Sequence, residues 1–506
     1  MLGIVGILCG SIICLLYYYL TATYNFWKKY NIPGPPPTIF FGTMKEVILK
    51  RTSLGNYLKN VYDAYEDASF IGIFHIREPI LIIKDPEHIK DVFIKDSALF
   101  PNRGLNSSLQ EEPLKQFLFH ANVPVAHIIR SKVSSAFTPS KLKELCHMML
   151  ESLERLDNYL EELLSKNNNI INCGNIAARL TADMTGINLM SINMRTLTRE
   201  NYEENDFLKY TDNACGTYWG TLIKTVMIDI CPRLYKWIDY LLSSNNKVTP
   251  PFFNFISDII KYRKKHAIVK ADILGLLMEL KKNPGKLSEF IGSDVMDEFL
   301  RTQMLGFLYA GYETTAATIR NTLYELALHP NIQDKLQKEI LDTYAKNNGQ
   351  LQYDDINAMP YLNAVFKETL RKYPPADSMQ REVLSNYTFK NTNITVPKKQ
   401  KVLIPLHAFH HDPKIFPQPE VYDPERFINE ISQTKNPMHY FPFGYGPRNC
   451  IGERMGILQT KLGLIGILRN YKLDVCEKTV TSFRSITRAF IVTPNEDIYV
   501  KLTKIN

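Results

Sequence analysis

Cys450 closes the loop Phe441-Pro442-Phe443-Gly444-Tyr445-Gly446-Pro447-Arg448-Asn449-Cys450, and Ile451-Gly452 follows it. An apolar helical run comes next, with Ile457, Leu458, Leu462, Leu464, Ile465 and Ile467. A lone thiolate presented on such a loop can ligate an open metal position, and iron in haem fits that presentation best. Gly444 and Gly446 permit the positive φ angles of a tight loop, so the backbone can approach a flat cofactor closely. Cys450 stands just ahead of a helix start, where backbone N–H groups lower a thiol pKa and tune a metal through its sulfur. Phe443 is placed to shield the sulfur from water, and Arg448 to meet a haem propionate. A dinucleotide-binding loop is excluded, because Gly444, Gly446 and Gly452 do not fit Gly-x-Gly-x-x-Gly and no βαβ pattern surrounds them.

A second constellation lies between Asp294 and His329, an apolar-periodic span of roughly 35 residues, or about 50 Å of helix. Asp294 and Asp297 suit its first turn and Pro330 ends it. Its middle reads Ala310-Gly311-Tyr312-Glu313-Thr314-Thr315. Ala310 and Gly311 would let a flat ligand lie against the backbone. Thr314 can hydrogen-bond a carbonyl one turn back, loosening the helix, and can hold a water. Glu313 can relay protons from solvent. Further on, Glu368 and Arg371 stand at i, i+3 in a helix over 361–372 that Tyr373-Pro374-Pro375 stops, so they share one face. Val402 to Pro405 read as a strand. Adjacent His410 and His411, taken as strand residues, would point to opposite faces and could not share a metal.

These groups need a large scaffold to position them. At 506 residues the chain could hold roughly two to four domains by length. No composition break, repeat or low-complexity tract divides it, so one large helix-rich domain is the better reading. The net charge of +8 is modest, and no aromatic-interleaved basic stripe suggests nucleic acid. Eight scattered cysteines without a Cys-x-x-Cys suit a reducing compartment. The sequons at Asn106, Asn386 and Asn393 are then chance matches. Leu2 to Ala22 are apolar and uncharged, and about 20 such residues span a bilayer. Trp27, Lys28 and Lys29 read as an interfacial aromatic and a basic flank, which puts the rest of the chain in the cytosol. Pro33-Gly34-Pro35-Pro36-Pro37 reads as a stiff hinge. Residues 250–260 carry an apolar face that suits either a core helix or a membrane interface.

The pattern Phe-x-x-Gly-x-x-x-Cys-x-Gly, met by Phe443 to Gly452, resembles the signature of the cytochrome P450 family of haem-thiolate monooxygenases. The resemblance extends to Ala310–Thr315, to Glu368-x-x-Arg371 and to Pro424-Glu425-Arg426-Phe427, in the family's order and spacing, and so covers essentially the whole chain. It implies the cytochrome P450 fold, mainly α with small β-sheets (α+β), as one large helical domain behind an N-terminal transmembrane helix. The organisation is then an anchor over 1–24, a basic and proline-rich hinge over 25–40 and a catalytic domain over 41–506. It implies haem b, with Cys450 as axial iron ligand and with Arg448, Arg381, Arg130, Phe443, Gly444, Ala310 and Gly311 around it. Thr314 and Glu313 become the proton-delivery pair. Glu368, Arg371 and Arg426 become a buried structural network under the ligand loop. The helix from Val125 to Phe137 matches only half of a Trp-x-x-x-Arg motif, because Ala126 stands where tryptophan is usual.

By the same resemblance the activity is insertion of one atom of O2 into an apolar small molecule, a xenobiotic or an endogenous lipophile. Electrons come from an NADPH-dependent flavoprotein reductase, with cytochrome b5 as a second donor. Lys132, Lys141, Lys143 and Arg454 are expected on its docking face. The site is the endoplasmic reticulum membrane, with the catalytic domain cytosolic. The anchor, the hinge and the Gly-Pro-Arg-Asn-Cys-Ile-Gly phrase look like microsomal animal enzymes; Tyr440–Gly444 and Leu458–Lys461 look most like insect detoxification members. Substrate contacts fall to residues 101–125, about 205–250, 310–315 and 376–379. A haem-thiolate isomerase or dehydratase is the rival within enzymes, and a haem carrier or sensor the rival outside them. The intact Glu313-Thr314 pair argues against both.

Overall fold

The protein is described by a computed structural model over residues 2–105, 117–166, 169–198, 249–428, 436–483, 485–488 and 491–505. Residues 106–116, Asn106 among them, and residues 205–248 of the expected substrate segment lie outside the described residues.

A 33-residue helix, Met296–Leu328, runs through the middle of the main core. It starts two residues later than Asp294, with Asp297 and Glu298 in the first turn, where carboxylates offset the positive end of the helix dipole. The helix Cys173–Met190 packs along one side of it and Glu453–Leu468 along another. Leu180, Ile319, Leu462 and Ile465 are fully buried between them. A helix enclosed all round must satisfy its own polar side chains. It does so by back-bonding: Thr318 Oγ1 donates to Thr314 O at 2.9 Å and Thr322 Oγ1 to Thr318 O at 2.8 Å.

Four small sheets flank the helices among the described residues, two of them two-stranded hairpins at 387–396 and 485–494. Strands β1 (Phe70–His75), β2 (Glu78–Ile83), β4 (Met379–Glu382) and β5 (Lys401–Ile404) pair in the order β1-β2-β5-β4. The pair β2 and β5 is parallel, and β4 runs antiparallel to β5 with Arg381 opposite Val402. Strand β3 (Ile170–Asn172) and the C-terminal strands β6 (Tyr471–Asp474) and β7 (Tyr499–Lys504) make the second sheet, with β7 central. Strand β5 ends before Pro405, and a short helix, Leu406–His410, begins there. The strand geometry expected for His410 and His411 therefore does not apply. His407 and His411, one helical turn apart, place their rings 4.0 Å apart instead, and burial pulls His407 down to about 4. No metal-binding cluster of His, Cys, Asp or Glu occurs among the described residues.

The apolar N-terminal helix spans Leu2–Thr21, and its apolar side chains from Ile4 to Tyr19 are exposed. Its end is fastened to the β1–β2 turn. The Arg77 guanidinium lies 3.7 Å over the Tyr19 ring, and Thr23 Oγ1 donates to Arg77 O at 2.6 Å. Trp27 is not an interfacial aromatic. It is buried, its ring covers Gly72, and Nε1–H donates to Ile73 O at 3.0 Å. Pro33 O likewise accepts from Gly72 N at 2.8 Å, so the proline segment is docked on β1. In the helix Thr249–Lys265, Phe252 and Ile256 face the core, which settles the alternative for those two side chains.

Glu368, Arg371 and Arg426 come together in one network. Glu368 and Arg371, in the helix Pro360–Lys372, are both fully buried and paired twice, at 2.7 and 2.8 Å. Arg426 Nε stands 3.4 Å from Glu368 Oε1 and its Nη atoms donate to Pro417 O and Gln418 O. Arg371 Nη1 also donates to His410 O at 3.0 Å, and the His410 ring stacks on Tyr440, which leads into the Cys450 loop. Arg371→Met conserves bulk but strands the Glu368 charge. We expect it to cost roughly 3–5 kcal/mol of stability, read as a lowered denaturation midpoint of the holoprotein; a change below ~1 kcal/mol would show the network to be dispensable.

Candidate active site

The Cys450 loop is built around two left-handed glycines. Gly444 has φ +71° and Gly446 φ +74°. A Cβ on Gly446 would lie 1.8 Å from Phe93 O, so this glycine is required by close approach to protein backbone, not to a cofactor. At Gly444 the neighbour is Met379 Sδ, at 3.1 Å. Cys450 N donates to Phe443 O at 2.8 Å, which folds the loop back over its own start. The Phe443 ring stacks on Phe366, 6.4 Å between centroids. The helix Glu453–Leu468 begins directly after, capped by Gly452.

Cys450 is surrounded by protein on all sides, yet its side chain keeps accessible surface. Arg103 shows the same combination. Both therefore border a space inside the molecule. Burial pushes the Cys450 thiol up, against the Gly452 N–H, Arg103 and Arg130, which favour the thiolate. The expected lowering of this thiol by its loop is thus not met by the protein alone, because desolvation of a charge outweighs one N–H. A coordinated thiol is deprotonated outright, so a bound metal ion would supply what is missing.

Four guanidinium groups from four segments converge here. Arg448 is buried, its Nη2 donates to Ala121 O at 3.1 Å, and its Nε has no partner. Arg381 on β4 is buried, donates to Gln380 O at 2.8 Å and lies 4.9 Å over the Phe93 ring. Arg130, at the end of the helix Val125–Val133, donates to Asn449 O at 2.8 Å and to Asn449 Oδ1 at 2.6 Å. Arg103, which the sequence motifs do not reveal, donates to Phe119 O at 3.0 Å and to Arg448 O at 3.1 Å. None of the four has a carboxylate partner among the described residues. Burial, then the charge of Arg448, pulls Arg381 down to about 9; burial, then Arg130, pulls Arg448 down to about 10. A ligand with two carboxylates, such as haem with its propionates, answers this surplus, so the residues fit the group.

The central helix closes the other side. Ala310 is exposed although Phe307 and Leu308, one turn or less away, are buried, so Ala310 fronts the interior space. Gly311 points elsewhere. A Cβ there would meet Thr185 Cγ2 at 3.3 Å, so Gly311 serves helix packing and does not front a cofactor. Thr314 Oγ1 donates to Ala310 O at 2.7 Å, and the helix stays continuous rather than loosening. Glu313 and Thr314 are both half-buried. One turn before Ala310, the Phe117 ring covers Gly306: a Cβ on that glycine would lie 2.1 Å from Phe117 Cδ2. Phe117 also meets Phe307 edge-on at 5.4 Å. Phe117 and Arg103 sit in loops without periodicity. The only signal for Arg103 was an arginine between turn residues Asn102 and Gly104 with no acidic neighbour.

Comparison with known proteins decides the family. The profile described as Cytochrome P450 matches residues 32–502. The chain belongs to the cytochrome P450 family. It is 32% identical to cytochrome P450 6B1 of Papilio polyxenes over 517 aligned positions, covering 100% of this chain and 99% of that one. It is 33% identical to cytochrome P450 6B5 of Papilio glaucus (94% and 99% covered) and 31% identical to probable cytochrome P450 6a13 of Drosophila melanogaster (96% and 96% covered). This P450 is a haem b monooxygenase, α+β in fold, that binds O2, a substrate and a redox partner, and its likeness is to insect enzymes.

Removing one buried charged donor to a propionate costs about 1.5–3 kcal/mol, or roughly tenfold or more in retention. Arg103→Ala should accordingly speed haem transfer to apomyoglobin by at least about tenfold. An unchanged transfer rate would take Arg103 out of the propionate site.

Proposed function

We propose that Cys450 is the axial ligand of the haem iron and that this P450 oxygenates apolar small molecules with electrons from an NADPH-dependent flavoprotein reductase. The observation that carries the reading is the enclosed Cys450 sulfur, bordering an interior space ringed by four arginines that have no acidic partner among the described residues. When bound, the haem supplies O2 activation, which a thiolate ligand favours by donating electron density. Arg103, Arg381 and Arg448 hold and orient the propionates. Phe117, Phe307 and Ala310 give the substrate an apolar surface and exclude water from it.

Thr314 positions protons. Its hydroxyl hydrogen is committed to Ala310 O, so Oγ1 is left as an acceptor that orients a water. Glu313 replaces the proton which that water gives up. The expected docking face for the reductase, and for cytochrome b5, is mixed in charge. Lys132, Lys141 and Lys143 pair with Glu279, Glu144 and Asp354 at 2.9, 2.7 and 2.6 Å, while Arg454 is exposed. An anchor over residues 1–24 places the enzyme on the endoplasmic reticulum membrane with its catalytic domain in the cytosol. Residues 4–21 are long and apolar enough to cross a bilayer, which supports this. The likeness to insect P450s supports a role in clearing xenobiotics.

Cys450→Ser should abolish the thiolate-type spectrum of the reduced carbon monoxide complex, because iron does not deprotonate an alcohol as it does a thiol. Retention of that spectrum would remove Cys450 from the role. Thr314→Val conserves volume but removes the acceptor. Haem and substrate binding should persist and NADPH should still be consumed. Hydrogen peroxide should rise, and product per NADPH should fall by up to the ~10²–10⁴-fold that a positioned proton donor contributes. Unchanged product per NADPH would overturn the assignment.

A further inference from the structure

We propose that Phe93 is a positioning residue for Arg381, its ring holding the guanidinium in place for a haem propionate. Arg381 is buried on strand β4, and its hydrogen bond of 2.8 Å goes to Gln380 O, the carbonyl of its own chain neighbour. Such a bond does not fix a long, flexible side chain against another segment. The Phe93 ring does. The guanidinium carbon stands 4.9 Å from the ring centroid, within the range of a cation–π contact. Phe93 is also fully buried, and these contacts are strongest where water is excluded.

A local departure from α-helix aims the ring. The helix Pro86–Lys90 runs into a single π-turn, Asp91–Lys95, closed by Asp96 N donating to Asp91 O at 2.8 Å. That bond closes one residue later than in an α-turn, and single π-turns recur at functional sites. Both ends of the turn are clamped. Lys95 Nζ stands 3.0 Å from the buried Asp91 carboxylate. Lys390 Nζ, from the hairpin at 387–396, lies 3.6 Å from Asp91 and 2.9 Å from Asp96, and Tyr387 OH donates to Asp96 Oδ2 at 2.8 Å. The hairpin follows β4 in the chain, so the segment that carries Arg381 also clamps the turn that carries Phe93. From this turn Phe93 makes three contacts. Its carbonyl is pressed on Gly446, its ring meets Phe441 edge-on at 6.0 Å, and the same ring lies under Arg381. The first contact is backbone and survives a change of side chain. The second needs chiefly apolar bulk. The third needs an aromatic face, so substitution can separate it from the others.

The inference rests on Arg381 as a propionate partner, and one variant tests that reading separately. Three variants of the full-length holoenzyme are compared: Arg381→Met, Phe93→Leu and the two combined. Two quantities are read, the rate of haem transfer to apomyoglobin and the spectrum of the reduced carbon monoxide complex. Arg381→Met should speed transfer by at least about tenfold. An unchanged rate there would take Arg381 off the propionate, and the inference would fall with that reading. Phe93→Leu keeps the carbonyl and much of the bulk but removes the aromatic face. It should speed transfer on the order of tenfold, the worth of a desolvated cation–π contact, and leave the thiolate-type spectrum in place. In the Arg381→Met background it should add less than about twofold, because no guanidinium is left for the ring to hold. Equal factors in the two backgrounds would make Phe93 a core side chain alone and overturn the proposal. An unchanged rate in Phe93→Leu would do the same. Loss of the thiolate-type spectrum in Phe93→Leu would move its role to the ligand loop and also overturn it. If Phe93→Leu does not accumulate as holoprotein, Phe93→Met fills the space without an aromatic face and is read in the same cycle, with the same outcomes deciding.

Discussion

Among the described residues, no carboxylate pairs with the buried guanidiniums around Cys450. Burial makes each guanidinium costly to keep charged, and the charges add to it: Arg381 and Arg448 depress Arg103, Arg448 depresses Arg381, and Arg130 depresses Arg448. The thiol beside them is held neutral by the same burial. Each group alone is unfavourable where it stands. A flat dianionic cofactor with a metal at its centre would resolve both problems together: its carboxylates would neutralise the guanidiniums and its iron would take the thiolate. The surroundings of the site would thus be complete only as a holoprotein, while the helices around it pack in the main hydrophobic core.

The contrast with Glu368 is instructive. There one carboxylate accepts two hydrogen bonds from Arg371 and has Arg426 beside it, and Asp423 N donates to it at 2.9 Å. Every charge is answered within the protein, and the product is a rigid strut. It reaches the ligand loop through the stacked rings of His410 and Tyr440, and Tyr440 OH donates to Lys367 O at 3.0 Å. On the other side of the loop, Gly446 is pressed on the backbone of Phe93, whose ring meets Phe441 at 6.0 Å and lies under Arg381. The same residue types are paired where stiffness is needed and left unpaired where a ligand must be bound.

Legibility in the sequence follows the range of the interactions. The central helix was readable to within two residues, because periodicity and Pro330 are local signals. Glu368 and Arg371 were readable because i, i+3 spacing sets a face. Cys450 was readable because a fixed pattern of glycine and aromatic residues surrounds it. What failed needed the third dimension. Gly311 looked like a floor for a ligand, but only rotation about the helix axis decides that it faces Thr185. Trp27 beside two lysines looked interfacial, yet Gly72 on a distant strand leaves room for its ring. His410 follows a proline that turns a strand into a helix. Arg103 and Phe117 sit in irregular loops, where no period announces what a side chain will meet.

The helix also constrains how Glu313 and Thr314 can cooperate. Successive residues on an α-helix are rotated by about 100°, so neighbours do not share a face. The acid and the hydroxyl cannot both point at one spot beside Ala310. Thr314 spends its only hydrogen on Ala310 O, so it accepts and does not donate. On the proposed route, a proton that starts on Glu313 would have to cross to the Thr314 side on water, and the hydroxyl would fix where the last water stands. The exposed Ala310 methyl leaves room for that water directly over the helix backbone. Side chains and helix geometry together make the path a wet one, confined to one face of an otherwise dry helix.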